Sequence, residues 1–205
     1  DKYYLKLQEK ADLLVTLLKR RYVDKLASEP LRIGSTEKGT ALRNKFDIDI
    51  ALSFKKNSFR STALMFDNVA DFLDGEIGKY SITKIRGQNV SIGVFFNVCG
   101  REYKIDVVPQ KRSSTGKKNK SGYLFVNDSN FWEDNSTYTK TDFDALRSMR
   151  FSEAQKKIII ILKHWRTNNN LPLSSHLLEN LVLDAYETNR NKIPGSITEK
   201  VVMVL

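Results

Sequence analysis

The chain has 205 residues, with 34 Lys or Arg against 24 Asp or Glu, for a formal charge of +10. That length allows one sizeable core, or one domain with part of a second. No apolar run approaches the roughly 18 residues of a membrane span, which excludes a membrane partner at this level and leaves polyanions, nucleic acid or nucleoside phosphates, as the partners the charge favours. The single cysteine, Cys99, cannot form an internal disulfide, which fits a reducing, cytoplasmic location. Within the apolar run VSIGVFFNVC it is expected as a small buried hydrophobe rather than a nucleophile.

Residues 4–28 carry Leu7, Ala11, Leu14, Leu18, Tyr22 and Leu26 at spacings of three and four, which predicts an amphipathic helix ending before Pro30. A strand is expected over Phe46–Phe54. Ser58 or Ser61 then caps a helix presenting Leu64, Val69, Phe72 and Leu73, stopping at Gly75 or Gly78. Three strands follow, at about 80–86, 90–98 and 101–108, joined by turns at Gly87-Gln88-Asn89 and Cys99-Gly100.

The stretch Lys111 to Gly122 holds five basic residues and no apolar one and is expected as a surface loop. An irregular segment containing Trp132 runs to about Thr141. Ser152 and Gln155 form a capping box for a helix through Thr167, and Leu177, Leu178, Leu181, Val182 and Ala185 define another. Helices followed by antiparallel strands predict an α+β fold with a mixed or antiparallel central sheet. The domains are expected as an N-terminal spine helix (1–29), a catalytic core (30–142), and the start of a helical lobe (143–205), cut short at its C-terminal end.

The segment RIGSTEKGTALRNKFDIDIAL carries the chemistry. Strand alternation puts Asp47 and Asp49 on one face and Ile48 and Ile50 on the other. Two adjacent carboxylates are costly unless a proton or a cation is shared between them. A divalent ion suits oxygen-only ligands. Asp106 in YKIDVVPQ supplies a third carboxylate, and three on neighbouring strands suit two ions about 4 Å apart, the arrangement that clamps both oxygens in phosphoryl transfer. Gly34 and Ser35, twelve residues before Asp47, offer a turn that a phosphate can approach. Taken alone, D-I-D also fits a solvated strand face and Gly-Ser a simple strand-to-helix turn.

GSTEKGTALRNKFDIDI together with YKIDVVPQ resembles the polymerase-β-type nucleotidyltransferase superfamily, with its Gly-Ser, its paired acids and a distant third acid. IIILKHWRTNNNLPLSSHLLENLVLDAY looks like the second-lobe stretch of oligoadenylate synthases, cyclic GMP-AMP synthase and the bacterial cGAS/DncV-like nucleotidyltransferases. The resemblance covers Gly34 to about Tyr186. It implies a nucleotidyltransferase fold, with Asp47, Asp49 and Asp106 as catalytic metal ligands for two Mg²⁺ or Mn²⁺ ions.

Further along the chain, the resemblance implies nucleotide binding by Gly34, Ser35, Lys163 and Ser175. It places His176 where the animal relatives carry a base-stacking Tyr, and Tyr123 with Trp132 in the nucleotide-side wall. The implied substrates are nucleoside triphosphates, converted with pyrophosphate release to a cyclic or linear oligonucleotide messenger in bacterial antiphage defence, with a nucleic acid or protein as activator. A template-independent RNA nucleotidyltransferase and a non-catalytic nucleic-acid-binding module are the competing readings.

Overall fold

The computed structural model describes residues 2–42, 47–115, 120–126 and 138–205. The chain divides into two compact units, one built from residues 1–34 and 47–147, the other from 35–46 and 148–205.

The first unit is a seven-stranded mixed sheet with helices packed on it. Its strands are β1 (Leu31–Ile33), β2 (Ile48–Phe54), β3 (Ile82–Gly87), β4 (Ile92–Val98), β5 (Arg101–Arg112), β6 (Gly122–Phe125) and β7 (Tyr138–Thr141). The order is β1-β2-β5-β4-β3, with β6 joining β5 to β7. Only the β2–β5 pair is parallel among the described strands; every other pair is antiparallel.

Helix α1 (Lys2–Tyr22) buries Leu7, Ala11, Leu14, Leu18 and Tyr22. It lies against β2 and β4. The helix stops at Tyr22, four residues before Leu26, the last apolar position of the predicted pattern, and six before its predicted end at 28. Leu26 instead makes an antiparallel bridge to Phe54, because the chain unwinds there to join the sheet edge. Helix α3 (Thr62–Asp74) is capped by Ser61, whose side chain accepts from the Leu64 N–H at 3.1 Å. It buries Met65, Phe66, Val69 and Leu73, while Leu64, expected on this face, is 52% exposed.

Alternation along β2 and β5 sorts the two faces. Ile48, Ile50, Leu52 and Phe54 are all buried. On the opposite face Ala51 and Val108, paired in register, join Ile33, Leu124 and Phe143 of helix α4 (Phe143–Ser148) in a second cluster. Asp49 and Asp106 occupy this second face one step nearer the start of the paired strands.

Three further expectations fail in this unit. Cys99 is exposed, not buried. It and Gly100 have φ of 53° and 78°, the two positive values of a tight hairpin turn linking β4 to β5, so the turn lifts Cys99 out of the apolar strand that precedes it. The basic stretch is not loop throughout, since Lys111 and Arg112 finish β5 and pair with Tyr123 and Gly122 of β6. The segment expected to be irregular supplies β7, whose YTKT is mostly exposed and has no apolar alternation to betray it. Trp132 and Phe46 lie outside the described residues.

The second unit is helical. Helix α5 (Glu153–Asn168) begins with the predicted capping box of Ser152 and Gln155. Helices α6 (Ser175–Thr188) and α7 (Ile197–Val204) pack on it around Ile158, Ile159, Leu162, Leu178, Val182 and Val204. A short helix, α2 (Gly34–Lys38), starts at the passage between the two units. Among the described residues no helix is long and apolar enough to cross a membrane.

Candidate active site

The acidic group sits in the sheet unit, and its assembly follows from strand register. β1 runs antiparallel to β2 and places its last residue, Ile33, opposite Asp49. β5 runs parallel to β2 on the other side and places Asp106 opposite the same Asp49. Asp49 therefore lies between the Gly-Ser turn and the third acid, residues 15 and 57 positions away in sequence. Asp47 immediately precedes β2 and is exposed.

Gly34 has φ +86°, and a Cβ built there would lie 2.0 Å from Oδ2 of Asp49. The carboxylate thus rests against bare backbone. Any side chain at 34 would meet it, and an L-residue would in addition be strained at this φ. Gly34→Ala is expected to cost about 1–3 kcal/mol of stability and to displace Asp49. Its check is a thermal melt read beside nucleotide turnover, with turnover falling further than the melting shift alone accounts for.

Asp106 is 7% exposed and both of its oxygens are engaged. Gln88 donates from Nε2 to Oδ1 at 2.7 Å, and Lys104 Nζ pairs with Oδ2 at 2.8 Å. Gly93 makes room for this: it faces Asp106 across β4–β5, and a Cβ there would come within 2.5 Å of the Gln88 amide. Burial alone pulls the Lys104 ammonium down. The hydrogen bond and charge of Asp106, with the fields of Asp47 and Asp49, outweigh it and raise the pKa above that of an ordinary lysine. Lys104 is thus a built-in cation felt by all three acids.

Among the described residues no three His, Cys, Asp or Glu side chains converge as a ready metal-ligand group. The donor chemistry nevertheless fits a hard divalent ion. All three candidates are carboxylates, two of them face each other on adjacent strands, and each carboxylate oxygen keeps acceptor capacity beyond one hydrogen bond.

The helical unit holds the remaining candidates. Lys163 of α5 is 2% exposed. It donates to Glu179 Oε1 at 2.9 Å, to Thr40 Oγ1 at 3.1 Å and to the Thr40 carbonyl at 3.2 Å. The second Glu179 oxygen pairs with Lys38 at 2.7 Å. Burial pushes the Glu179 carboxyl up, but the two ammonium groups outweigh that and hold it below the usual range. Burial also draws Lys163 below an ordinary lysine, more than Glu179 restores. A phosphate contact by Lys163 therefore requires its ammonium to exchange a protein partner for the ligand.

Ser174, not Ser175, is the N-cap of α6, accepting from the Leu177 N–H at 3.0 Å. That leaves the Ser175 hydroxyl to accept from Arg166 at 3.1 Å, and Arg166 also donates to the Leu173 carbonyl at 3.0 Å. His176 is exposed and its Nε2 lies 3.2 Å from Asn180 Nδ2. Ser35 begins this unit within α2, and its carbonyl accepts from the Thr40 N–H at 2.9 Å. Tyr123 is half-buried in β6 and pairs with Lys111, five residues beyond Asp106 along β5, so it stands at the far end of the sheet from the acids and not in a wall beside them.

Sequence reasoning did not single out Gln88, Lys104, Lys38, Thr40, Glu179 or Arg166. Lys104 had a readable signal, its place two residues before Asp106 on the same strand face. Glu179 had a weaker one, an acid on the apolar side of a helix.

No protein-family model matches the chain. Over 86 residues it is 27% identical to a probable cyclic nucleotide synthase of Bacillus cereus, a match covering 42% of this chain and 26% of that protein. Superposed on the Elizabethkingia meningoseptica CdnE cyclic dinucleotide synthase, solved with GTP and Apcpp, it gives a TM-score of 0.65 at 18% identity over 96% of this chain and 74% of that one. The chain has the nucleotidyltransferase fold. CdnC in the CdnC:HORMA-deltaN complex of E. coli MS115-1 shares this fold, with a TM-score of 0.63 and 21% identity over 88% of this chain and 57% of that one. The chain thus spans about a quarter of the curated relative and a little over half of the CdnC chain.

Proposed function

We propose that this chain carries the catalytic centre of a metal-dependent nucleotidyltransferase that joins ribonucleoside triphosphates into a cyclic or linear oligonucleotide with release of pyrophosphate. The observation that carries the reading is the register that sets Asp49 opposite Asp106 with its carboxylate against the bare backbone of Gly34. The likeness to proteins named as cyclic nucleotide and cyclic dinucleotide synthases supports the product class.

Asp47, Asp49 and Asp106 would hold two Mg²⁺ or Mn²⁺ ions, which when bound supply charge neutralisation at the transferring phosphoryl group and acidify the attacking hydroxyl. Gly34 keeps backbone open for a phosphate beside Asp49, and the Ser35 hydroxyl adds a hydrogen bond to it. Gln88 and Lys104 hold the Asp106 carboxylate in one orientation, so that acid need not reorganise during reaction. Lys163 and Ser175 act on the triphosphate tail, with Arg166 fixing the Ser175 hydroxyl, and His176 offers a stacking surface to a base. In this proposal the product is a messenger of bacterial antiphage defence, made in the cytoplasm. Its activator is a nucleic acid or a protein, as the CdnC:HORMA-deltaN complex suggests for the latter.

Chromatography of the products from all four labelled ribonucleotides with Mg²⁺ or Mn²⁺ tests this. A cyclic or short linear oligonucleotide with stoichiometric pyrophosphate is expected. Extension of an added RNA without such a product would point to an RNA nucleotidyltransferase, and nucleotide or RNA binding without any pyrophosphate would leave a binding module.

A further inference from the structure

We propose that the end of the sheet remote from the acids holds a second anion site, a phosphate pocket with an aromatic wall that takes a nucleotide, free or within single-stranded RNA. The inference does not depend on the catalytic reading. Phe54 and Lys111, the last register partners of β2 and β5, lie five residues beyond Asp49 and Asp106, which is about 17 Å along the strands at ~3.3 Å per residue.

Two cavities of about 320 and 410 Å³ open there, and both have Lys56 and Arg112 in their walls. None of the described wall residues is acidic. Lys55 and Lys111 add charge from fixed positions, their ammonium groups anchored on the carbonyls of Asp24 and Arg60 at 2.8 and 3.2 Å.

The polar groups in the larger cavity point to a ligand. Arg112 and Ser114 are among the residues of its wall, and Arg112 Nε and Ser114 Oγ are buried without a hydrogen-bond partner. Buried donors are nearly always satisfied, so two unsatisfied atoms on wall residues of one basic cavity point to an acceptor that they reach by a small side-chain shift. The smaller cavity adds the N-terminus of α3 through Ser61 and Thr62, where backbone N–H groups and the helix dipole favour an anion.

The aromatic wall sits beside these cations. Tyr123 and Tyr138 meet edge to face with ring centroids 4.9 Å apart, and Tyr138 is 62% exposed. Cations that track phosphate beside exposed rings that stack bases are the two components of single-strand and nucleotide recognition. Phosphate alone would explain Arg112 and Ser114 but not the rings.

Fluorescence anisotropy on the whole chain tests the site, with a labelled ten-nucleotide oligouridylate in one arm and a fluorescent AMP in the other. Wild type and Asp49→Asn are expected to bind alike. Lys56→Gln combined with Arg112→Gln is expected to lose at least roughly tenfold in affinity, with the slope of log K against log salt shallower by about 1.4 for RNA. Lys56→Gln and Tyr138→Leu alter exposed side chains only, so each should weaken binding with the melting temperature unchanged. Binding of RNA but not AMP assigns the oligonucleotide as ligand, and equal occupancy by AMP assigns the free nucleotide. Failure of both probes to bind, or unaltered affinity in Lys56→Gln and Tyr138→Leu, overturns the proposal.

Discussion

Asp49→Asn is expected to reduce pyrophosphate release by at least ~10²-fold while leaving the fold intact. The substitution keeps the shape of the side chain and its seat against Gly34, so no cavity or clash is created. It removes one of the charges that act on Lys104, which lowers ligand charge for a divalent ion and also relieves repulsion within the group. Three readouts therefore diverge. Turnover falls, the rise in melting temperature on adding Mg²⁺ or Mn²⁺ shrinks, and the melting temperature without metal stays level or increases. If D-I-D were merely a solvated strand face, neither the turnover nor the metal-induced rise would change. Product formation at the wild-type rate by Asp49→Asn or Asp106→Asn would sink the catalytic assignment.

The largest expected loss of stability belongs to Glu179→Ala. Glu179 is 3% exposed and neutralises both Lys38 and Lys163. Truncating it leaves two ammonium groups and Thr40 without their shared partner, and breaking a buried pair in this way costs about 3–5 kcal/mol. Glu179→Gln keeps an acceptor for Thr40 and one lysine but no charge, so it should fall between wild type and Ala.

The pH dependence has a definite sign. The folded Glu179 carboxyl titrates below its unfolded value, so its contribution is fully present above the unfolded pKa of about 4.3 and is lost as pH falls through the lower, folded value. Thermal melts from pH 7 to pH 3 should show an acid-induced decline that is smaller in Glu179→Gln. An Ala variant that melts like wild type at pH 7 would mean that the group is not buried in solution.

Much of the architecture was legible because its signals are local. The 3.6-residue spacing of α1, the Ser152–Gln155 capping box of α5 and the apolar alternation of β2, β4 and β5 each follow from neighbours within one turn or one strand. Where the signal was not local, the reading went astray. Leu26 has the spacing of a helix residue but the bridge to Phe54 takes it into the sheet. β7 carries no alternation at all and exists because Tyr123 and Leu124 of β6 offer Lys140 and Thr139 a hydrogen-bonding edge. Cys99 ends an apolar run, yet a two-residue hairpin turn needs positive φ there and carries it to the surface.

The candidate site divides in the same way. The sequence by itself determined which residue types are present: a glycine where the chain turns, two acids two positions apart on a strand, and a third acid on another strand, all chosen by side-chain chemistry and strand period. Only the tertiary structure decided which of them meet. Strand register brought Asp49 between Gly34 and Asp106. The absence of a side chain at Gly93 let Gln88 and Lys104 reach Asp106, and burial tied Lys163 to Glu179 and Thr40. Register, close approach and burial are properties of elements brought together over tens of residues, and no spacing along the chain encodes them.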